Sequence, residues 1–415
     1  MQHAKILFGI LFAVVAPVVW SADLSLEQSL RLAQHFSAEL SANRHQVNAL
    51  NNMAESAMQL PDPKLKFGIE NLPLGGSNAH RLTREGMTMQ RVGVMQDYVS
   101  STKREKKAAV IHAEAQQTAA GQAVMIASLQ RETAQAWLAL ALSLQGYAAV
   151  NKLVTESNRQ ILAQHAALAA GRSSASMLLD SQLILSAMHN QQDNAARDVA
   201  LARYKLRQLT GQQVGGVSGE WPRYQQLPAS EQSLQQSIET HPEIIQARRE
   251  SETAQAKSAQ SAVAAIPDIG VELYYARRAD DYDDMAGVMV TVDLPLFTSR
   301  RQDKDHAADI ARSWQANDAL TLQLRAHQAQ LDTLLAQYQA ANAVWRRQAE
   351  TILPLQQNRV RILNAQYLAG KSDLAAVLDA RRALLSSEID KNSAEQEMAS
   401  LWAAIRYLNP QDNSL

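Results

Sequence analysis

Residues 268–277 read Asp-Ile-Gly-Val-Glu-Leu-Tyr-Tyr-Ala-Arg. Ile269, Val271, Leu273 and Tyr275 alternate with Gly270, Glu272 and Tyr274. Period two puts the two sets on opposite faces of a β-strand. Three other stretches alternate alike. Leu65, Phe67 and Ile69 oppose Lys64, Lys66, Gly68 and Glu70; Val92, Val94 and Tyr98 oppose Arg91, Gly93, Met95 and Asp97. Val288, Val290, Val292 and Leu294 oppose Met289, Thr291 and Asp293. The four strands are predicted as two hairpins, about 64–99 and 268–297. Strands of ~9–11 residues match the span of a tilted transmembrane strand. A sheet in lipid must close, because every backbone group there needs a partner. Four strands are too few, since single-chain barrels start at about 8. Three copies would bring about 12 strands and two copies about 8. The same pattern also fits a soluble sheet laid over helices.

The stretches that follow the hairpins are helical and long. Leu140, Tyr147, Val154, Ile161 and Leu168 recur at sevens. Leu324, Leu331, Tyr338 and Trp345 do the same, and Leu353, Val360 and Tyr367 resume after a step of eight. Sevens predict coiled-coil packing, and the extra residue predicts a local rewinding. Residues 103–168 and 301–368 would each run ~100 Å at ~1.5 Å per residue.

The chain is a duplication. Leu26-Glu27-Gln28-Ser29-Leu30 recurs as Leu234-Gln235-Gln236-Ser237-Ile238, and Pro61-Asp62 as Pro267-Asp268. Thr102-Lys103-Arg104 recurs as Thr298-Ser299-Arg300, and Gly171-Arg172-Ser173 as Gly370-Lys371-Ser372. The first repeat is predicted over 23–210, an equatorial linker over 211–229, the second repeat over 230–408 and a tail over 409–415. Each repeat opens with a helix, Ser25–Gln59 or Ser230–Ala265.

The N-terminus reads as a secretory leader over 1–22. A basic start through Lys5 precedes the apolar run Ile6–Trp20 and the small residues Ser21 and Ala22. That run of 15 residues is short of the ~20 a membrane-crossing helix needs. The rest of the composition agrees with an exported helical protein. Lys+Arg number 40 against 41 Asp+Glu, which carries no basic excess for nucleic acid. The absence of cysteine excludes a disulfide scaffold and a thiolate site. Only 16 Gly and 11 Pro in 415 residues favour long uninterrupted elements. No catalytic motif and no H-x-x-x-H spacing occurs, so neither an enzyme nor a cofactor is expected.

Together these residues resemble the TolC family of outer-membrane efflux proteins, from Leu26 to about Leu408. Gly370 through Ala380, Gly-Lys-Ser-Asp-Leu-Ala-Ala-Val-Leu-Asp-Ala, looks like the family's G-x(3)-L-x-x-V-L-D-A turn. Gly171 through Leu178-Leu179-Asp180 looks like its first-half counterpart. Leu60-Pro-Asp-Pro-Lys64, Glu70-Asn-Leu-Pro73 and Met87 through Gln96 look most like the heavy-metal cation branch typified by CzcC. The resemblance implies a mainly α fold with a β-barrel contribution, a TolC-like trimeric tunnel with four strands per chain. It implies an outer-membrane location reaching into the periplasm, an iris-like periplasmic end, a periplasmic membrane-fusion adaptor and an inner-membrane pump of the resistance-nodulation-division type. The duct would be passive.

It also assigns roles. Asp379 matches an acidic position of the family's constriction and Asp180 is its first-half equivalent; the second acidic position is Ala376 here. A ring of carboxylates in a narrow neck favours cations. Gly171, Arg172, Ser173, Gly370, Lys371 and Ser372 would form the tip turns that meet the adaptor. Glu70, Arg91, Met95, Asp97, Glu272, Met289 and Asp293 would face the pore. Met87, Met89 and Met285 share that strand phase; thioethers bind soft cations, but adaptable packing is the simpler use. Asp280-Asp281-Tyr282-Asp283-Asp284 reads as a solvated loop between strands. Drugs or a secreted polypeptide are alternative cargoes. A soluble periplasmic coiled-coil scaffold is the alternative of another class.

Overall fold

The computed structural model describes residues 22–171, 174–279 and 281–409. Arg172, Ser173, Asp280, the tail beyond Asn409 and the leader apart from Ala22 lie outside them.

Each repeat begins with a short strand. These are β1 (Ala22–Leu24) and β4 (Val214–Val217), which pair in parallel with Leu24 opposite Val217. β4 sits within the stretch expected to be a linker, so the described residues hold six strands, the four of the hairpins and these two. Trp137 clamps the pair: its Nε1–H donates to the Leu24 carbonyl at 2.8 Å.

Both opening helices are broken where the sequence suggested one. The first divides into α1 (Leu26–Phe36) and α2 (Ala38–Ala57). The break is at Ser37, whose hydroxyl accepts from the Leu40 N–H at 3.3 Å and starts α2 afresh. The second divides into α5 (Glu231–Gln236), a 3₁₀ turn (Ile238–Thr240) and α6 (Pro242–Ser261). Pro242 supplies the preset φ of a first helical position.

The hairpins are β2 (Lys64–Glu70) with β3 (Met89–Tyr98), and β5 (Ile269–Arg277) with β6 (Met285–Val292). They join as one antiparallel sheet in the order β2-β3-β5-β6. β3 pairs with β5 from Gln90–Arg277 to Tyr98–Ile269, so the second strand of the first hairpin meets the first strand of the second. β2 and β6 are the free edges.

From this sheet the helices run away together. α3 (Ser101–Ala169) is a single helix of 69 residues, ~100 Å at ~1.5 Å per residue. Its counterpart is α7 (Gln302–Arg347) followed by α8 (Leu353–Leu368), with one π-helical turn, Gln348–Ile352, between them. That turn falls within the eight-residue step of the apolar pattern. A π turn takes in one extra residue, which is the rewinding the spacing predicts. α3 carries no such step and no such turn.

α4 (Ala175–Thr210) and α9 (Leu374–Arg406) fold back along the long helices. Two cores result. One surrounds Trp137, Leu140 and Leu142 with Leu331, Tyr338, Trp402 and Tyr407 at mid-length. The other lies between α3, α4 and α9 toward the tips, around Val154, Ile161, Leu178, Leu185, Val377 and Leu378. The heptad residues Leu140, Val154, Ile161, Leu331 and Tyr338 are all buried. Among the described residues no helix is long and apolar enough to cross a membrane, which says nothing of a barrel.

Candidate functional site

The four-stranded sheet is inside out. Glu272 is 4% exposed, whereas its neighbour Leu273 is 61% exposed. Phe67 is 83% and Val290 60% exposed, and Leu65, Ile69, Val92, Val94, Tyr275, Val288 and Val292 are also exposed. All lie on one face, as Leu65↔Val94↔Leu273↔Val288 and Phe67↔Val92↔Tyr275 show. A single chain leaves this apolar face without cover.

The opposite face gathers the strand positions expected at the pore. The register runs Lys64↔Met95↔Glu272↔Met289, with Glu70↔Met89 and Asp97↔Gly270 beside it. Glu70, Arg91, Met95, Asp97, Glu272 and Met289 therefore share one face. Asp293 lies one residue past the end of β6, and its N–H donates to the Asp268 carbonyl at 3.0 Å. The charges form a chain across the strands. Lys66 Nζ reaches Glu272 at 2.9 Å, Arg91 reaches Glu272 at 2.8 Å and Glu70 at 2.6 Å, and Lys64 reaches Asp97 at 2.5 Å. The Arg91 guanidinium also lies 3.6 Å from the centre of the Tyr274 ring. Positive and negative groups balance, so the face is polar without strong net charge. Met95 packs over Gly270, where a Cβ would stand 2.6 Å from its Cε. That contact makes Met95 a space filler. Among the described residues no group of three His, Asp or Glu is placed to hold a metal.

The tips are built by glycine. Gly171 and Gly370 stand at φ +68° and +69°, the left-handed region an L side chain resists. At the second tip the Gly370 N–H donates to Tyr367 O at 2.9 Å and the Lys371 N–H to Gln366 O at 2.8 Å. This is the Schellman pattern that satisfies the last carbonyls of a helix. Ser372 follows, and Asp373 then caps α9 by accepting from the Ala376 N–H at 2.8 Å. At the first tip the Gly171 N–H donates to Leu168 O at 3.0 Å and Ser174 caps α4. Arg172 and Ser173 of that turn are outside the described residues.

Asp180 and Asp379 take equivalent exposed places on α4 and α9, nine residues after Gly171 and Gly370. Asp379 pairs with Arg382 at 3.2 Å, one turn on. Arg381 instead turns inward, and its Nη1 donates to Glu156 Oε2 on α3 at 3.4 Å. Burial drags this guanidinium below its ordinary range, against the raising effect of Glu156. Gln160 of α3 donates to Asn364 of α8 at 3.2 Å nearby. These links tie α8 and α9 to α3 close to the tips. The Arg381–Glu156 link has no signature in the sequence, because nothing in one helix reveals what the neighbouring helix presents.

Sequence reasoning also missed a buried pair at mid-length. His241, ahead of α6, and His327 of α7 lie edge to face, Nδ1 to Nε2, at 2.5 Å. Glu243 Oε2 stands 3.1 Å from His327 Nδ1, off the line of a good hydrogen bond. The imidazole holds the Glu243 carboxyl below its usual range. Burial, then the neighbouring His327, pushes His241 down to about 4.

No family model and no curated protein matches the sequence. Solved structures do match. A membrane protein from Pseudomonas aeruginosa superposes with a TM-score of 0.72 at 15% identity over 94% of each chain. CusC, described as undergoing conformational changes on folding and transmembrane channel formation, gives 0.71 at 16% over 98% of each chain. The outer-membrane protein VceC of Vibrio cholerae gives 0.71 at 16% over 92% of this chain and 95% of its own. Identities this low speak for the fold: the chain has the TolC-like channel fold over nearly its whole length.

Proposed function

We propose that this chain is the outer-membrane exit duct of a tripartite efflux system, exported by its leader and assembled as a homotrimer. One observation carries the reading: a sheet with an uncovered apolar face and two open edges stands at the end of ~100 Å helices. Lipid is the solvent such a face needs, and closure by partner strands is what such edges need. Three copies make a barrel of about 12 strands, within the range that spans membranes. The polar face with Glu70, Arg91, Met95, Asp97, Glu272, Met289 and Asp293 then lines the pore. The tip turns, Gly171–Ser173 and Gly370–Ser372, meet a periplasmic adaptor that links the duct to an inner-membrane pump. Asp180 and Asp379 form the constriction. The likeness to channel structures supports the same reading.

For the cargo we propose heavy-metal cations, on the strength of the hairpin motifs shared with that branch. Two experiments test the reading. Detergent-extracted protein should run as a trimer and conduct in planar bilayers; a monomer extracted without detergent would replace the duct with the periplasmic scaffold. A deletion strain should lose tolerance to particular metals and regain it with this chain. Loss confined to dyes or bile salts keeps the duct and removes the metal.

A further inference from the structure

An open cavity of about 930 Å³ lies where the strands meet the helices, near the upper end of the roughly 300–1,000 Å³ typical of ligand sites. The end of α2, the start of α3 and the end of α6 wall it, with Asp309 of α7 at one side. Leu60, Val99 and Val263 give it apolar surface, and Lys103, Arg104, Lys107 and Lys257 bring four cationic head groups to it.

Two of those cations are neutralised. Lys103 donates to Asp268 at 2.8 Å and Lys257 to Glu114 at 2.8 Å. Asp309 is likewise taken by Arg312 at 2.7 Å. The other two are not. The Arg104 guanidinium bonds only backbone carbonyls, those of Val99 at 3.1 Å and of Met58. Lys107 is exposed and has no hydrogen-bond or ion-pair partner among the described residues. Among the described lining residues Asp62 is the one carboxylate left to face them. An excess of positive charge thus stands beside apolar surface.

The strand-end residues at the cavity are in phase with the polar side of the sheet. Asp62 and Val99 continue the alternation of Lys64 and Lys66 and of Met95 and Asp97. Asp268, held by Lys103, continues that of Gly270 and Glu272. In the duct reading this side is the tunnel.

We propose that the cavity is a binding site for organic anions: a carboxylate, sulfonate or phosphate held by Arg104 and Lys107, its apolar body against Leu60, Val99 and Val263. Its place in a tunnel rests on the duct reading; the binding does not.

The test is calorimetric titration of 1,5-naphthalenedisulfonate into the full-length protein in an uncharged detergent. Saturable binding is expected. It should weaken by about tenfold or more in the Arg104→Gln/Lys107→Gln variant, since two charge-assisted contacts are lost. Lys107→Gln alone, which removes no bond of the fold, should weaken it several-fold. The neutral 1,5-dihydroxynaphthalene should bind at least about tenfold less well. No binding by the wild type, equal binding by both variants, or equal binding of the neutral compound overturns the site. Conductance of the same preparation separates the two readings. A non-conducting protein that binds the dianion removes the duct and keeps the site; a conducting one that does not bind it removes the site.

Discussion

Replacing Arg381 by Met should loosen the tip. Arg381 reaches Glu156 at 3.4 Å, with side chains 11% and 39% exposed. At that distance and an effective dielectric of about 20 the raw attraction is about 5 kcal/mol. Burial of the guanidinium opposes it, and Arg381 Nε has no partner. Pairs with one half-exposed member retain about 1 kcal/mol. In the proposed trimer three such links make ~3 kcal/mol, a shift of about a hundredfold in the ratio of closed to open tips if opening breaks them. Met fills a similar volume, so the packing of α3 on α9 should survive with a change of ~1 kcal/mol or less. The assay is the open-time fraction of single channels in planar bilayers at about 0.1 M and about 1 M salt. Salt screens the half-exposed pair. The wild type should open more at high salt, and the variant should be as open at low salt as at high. An open fraction identical in the two proteins at both salts would refute a role for the Arg381–Glu156 link in holding the tip closed.

Gly146→Ala should lower the melting temperature despite alanine's better helix propensity. A Cβ there would lie 2.9 Å from Asn392, which is held by Leu142 O at 2.9 Å and Gln396 at 2.8 Å; a loss of about 1–2 kcal/mol is expected. Gly370→Pro should abolish export yet leave trimers intact on unheated gels, because proline's φ near −65° cannot replace +69°. Asp379→Asn should reduce the cation preference of the pore, read as a reversal potential across a salt gradient; Arg382, at 3.2 Å, would then be left uncompensated. For pH the sign runs through His241. Its folded value of about 4 lies below the ordinary ~6.5, so the folded state binds fewer protons. Its contribution is present above about pH 6.5 and is lost as pH falls toward 4, by at most ~3 kcal/mol. Melting temperature should therefore fall between pH 7 and 5 in the wild type and stay flatter in His241→Gln.

The sequence exposed what repeats or alternates. Period two placed Leu273 and Glu272 on opposite faces, and the register agrees. Period seven with one step of eight located the π turn. It did not expose what depends on a distant partner. β1 has three residues and β4 four, too few for alternation to register, and they meet across about 190 positions. The breaks at Ser37 and before Pro242 interrupt stretches that read as single helices. His241 and His327 are 86 residues apart with no spacing signature. Of the proposed pore lining, Asp293 lies just beyond its strand, since a pattern marks phase more firmly than ends.

The π turn at Gln348–Ile352 also bears on how such a chain tolerates a change of length. One residue added to a strand would invert every face beyond it and turn Glu272 toward the apolar side. The same residue added to a coiled coil is absorbed within a turn and moves the tip by only ~1.5 Å. The helical sleeve is thus the part of the molecule where reach can be adjusted in small steps. In the proposed duct, a gap of different width between two membranes can be met by insertions there, while the sheet keeps its sidedness.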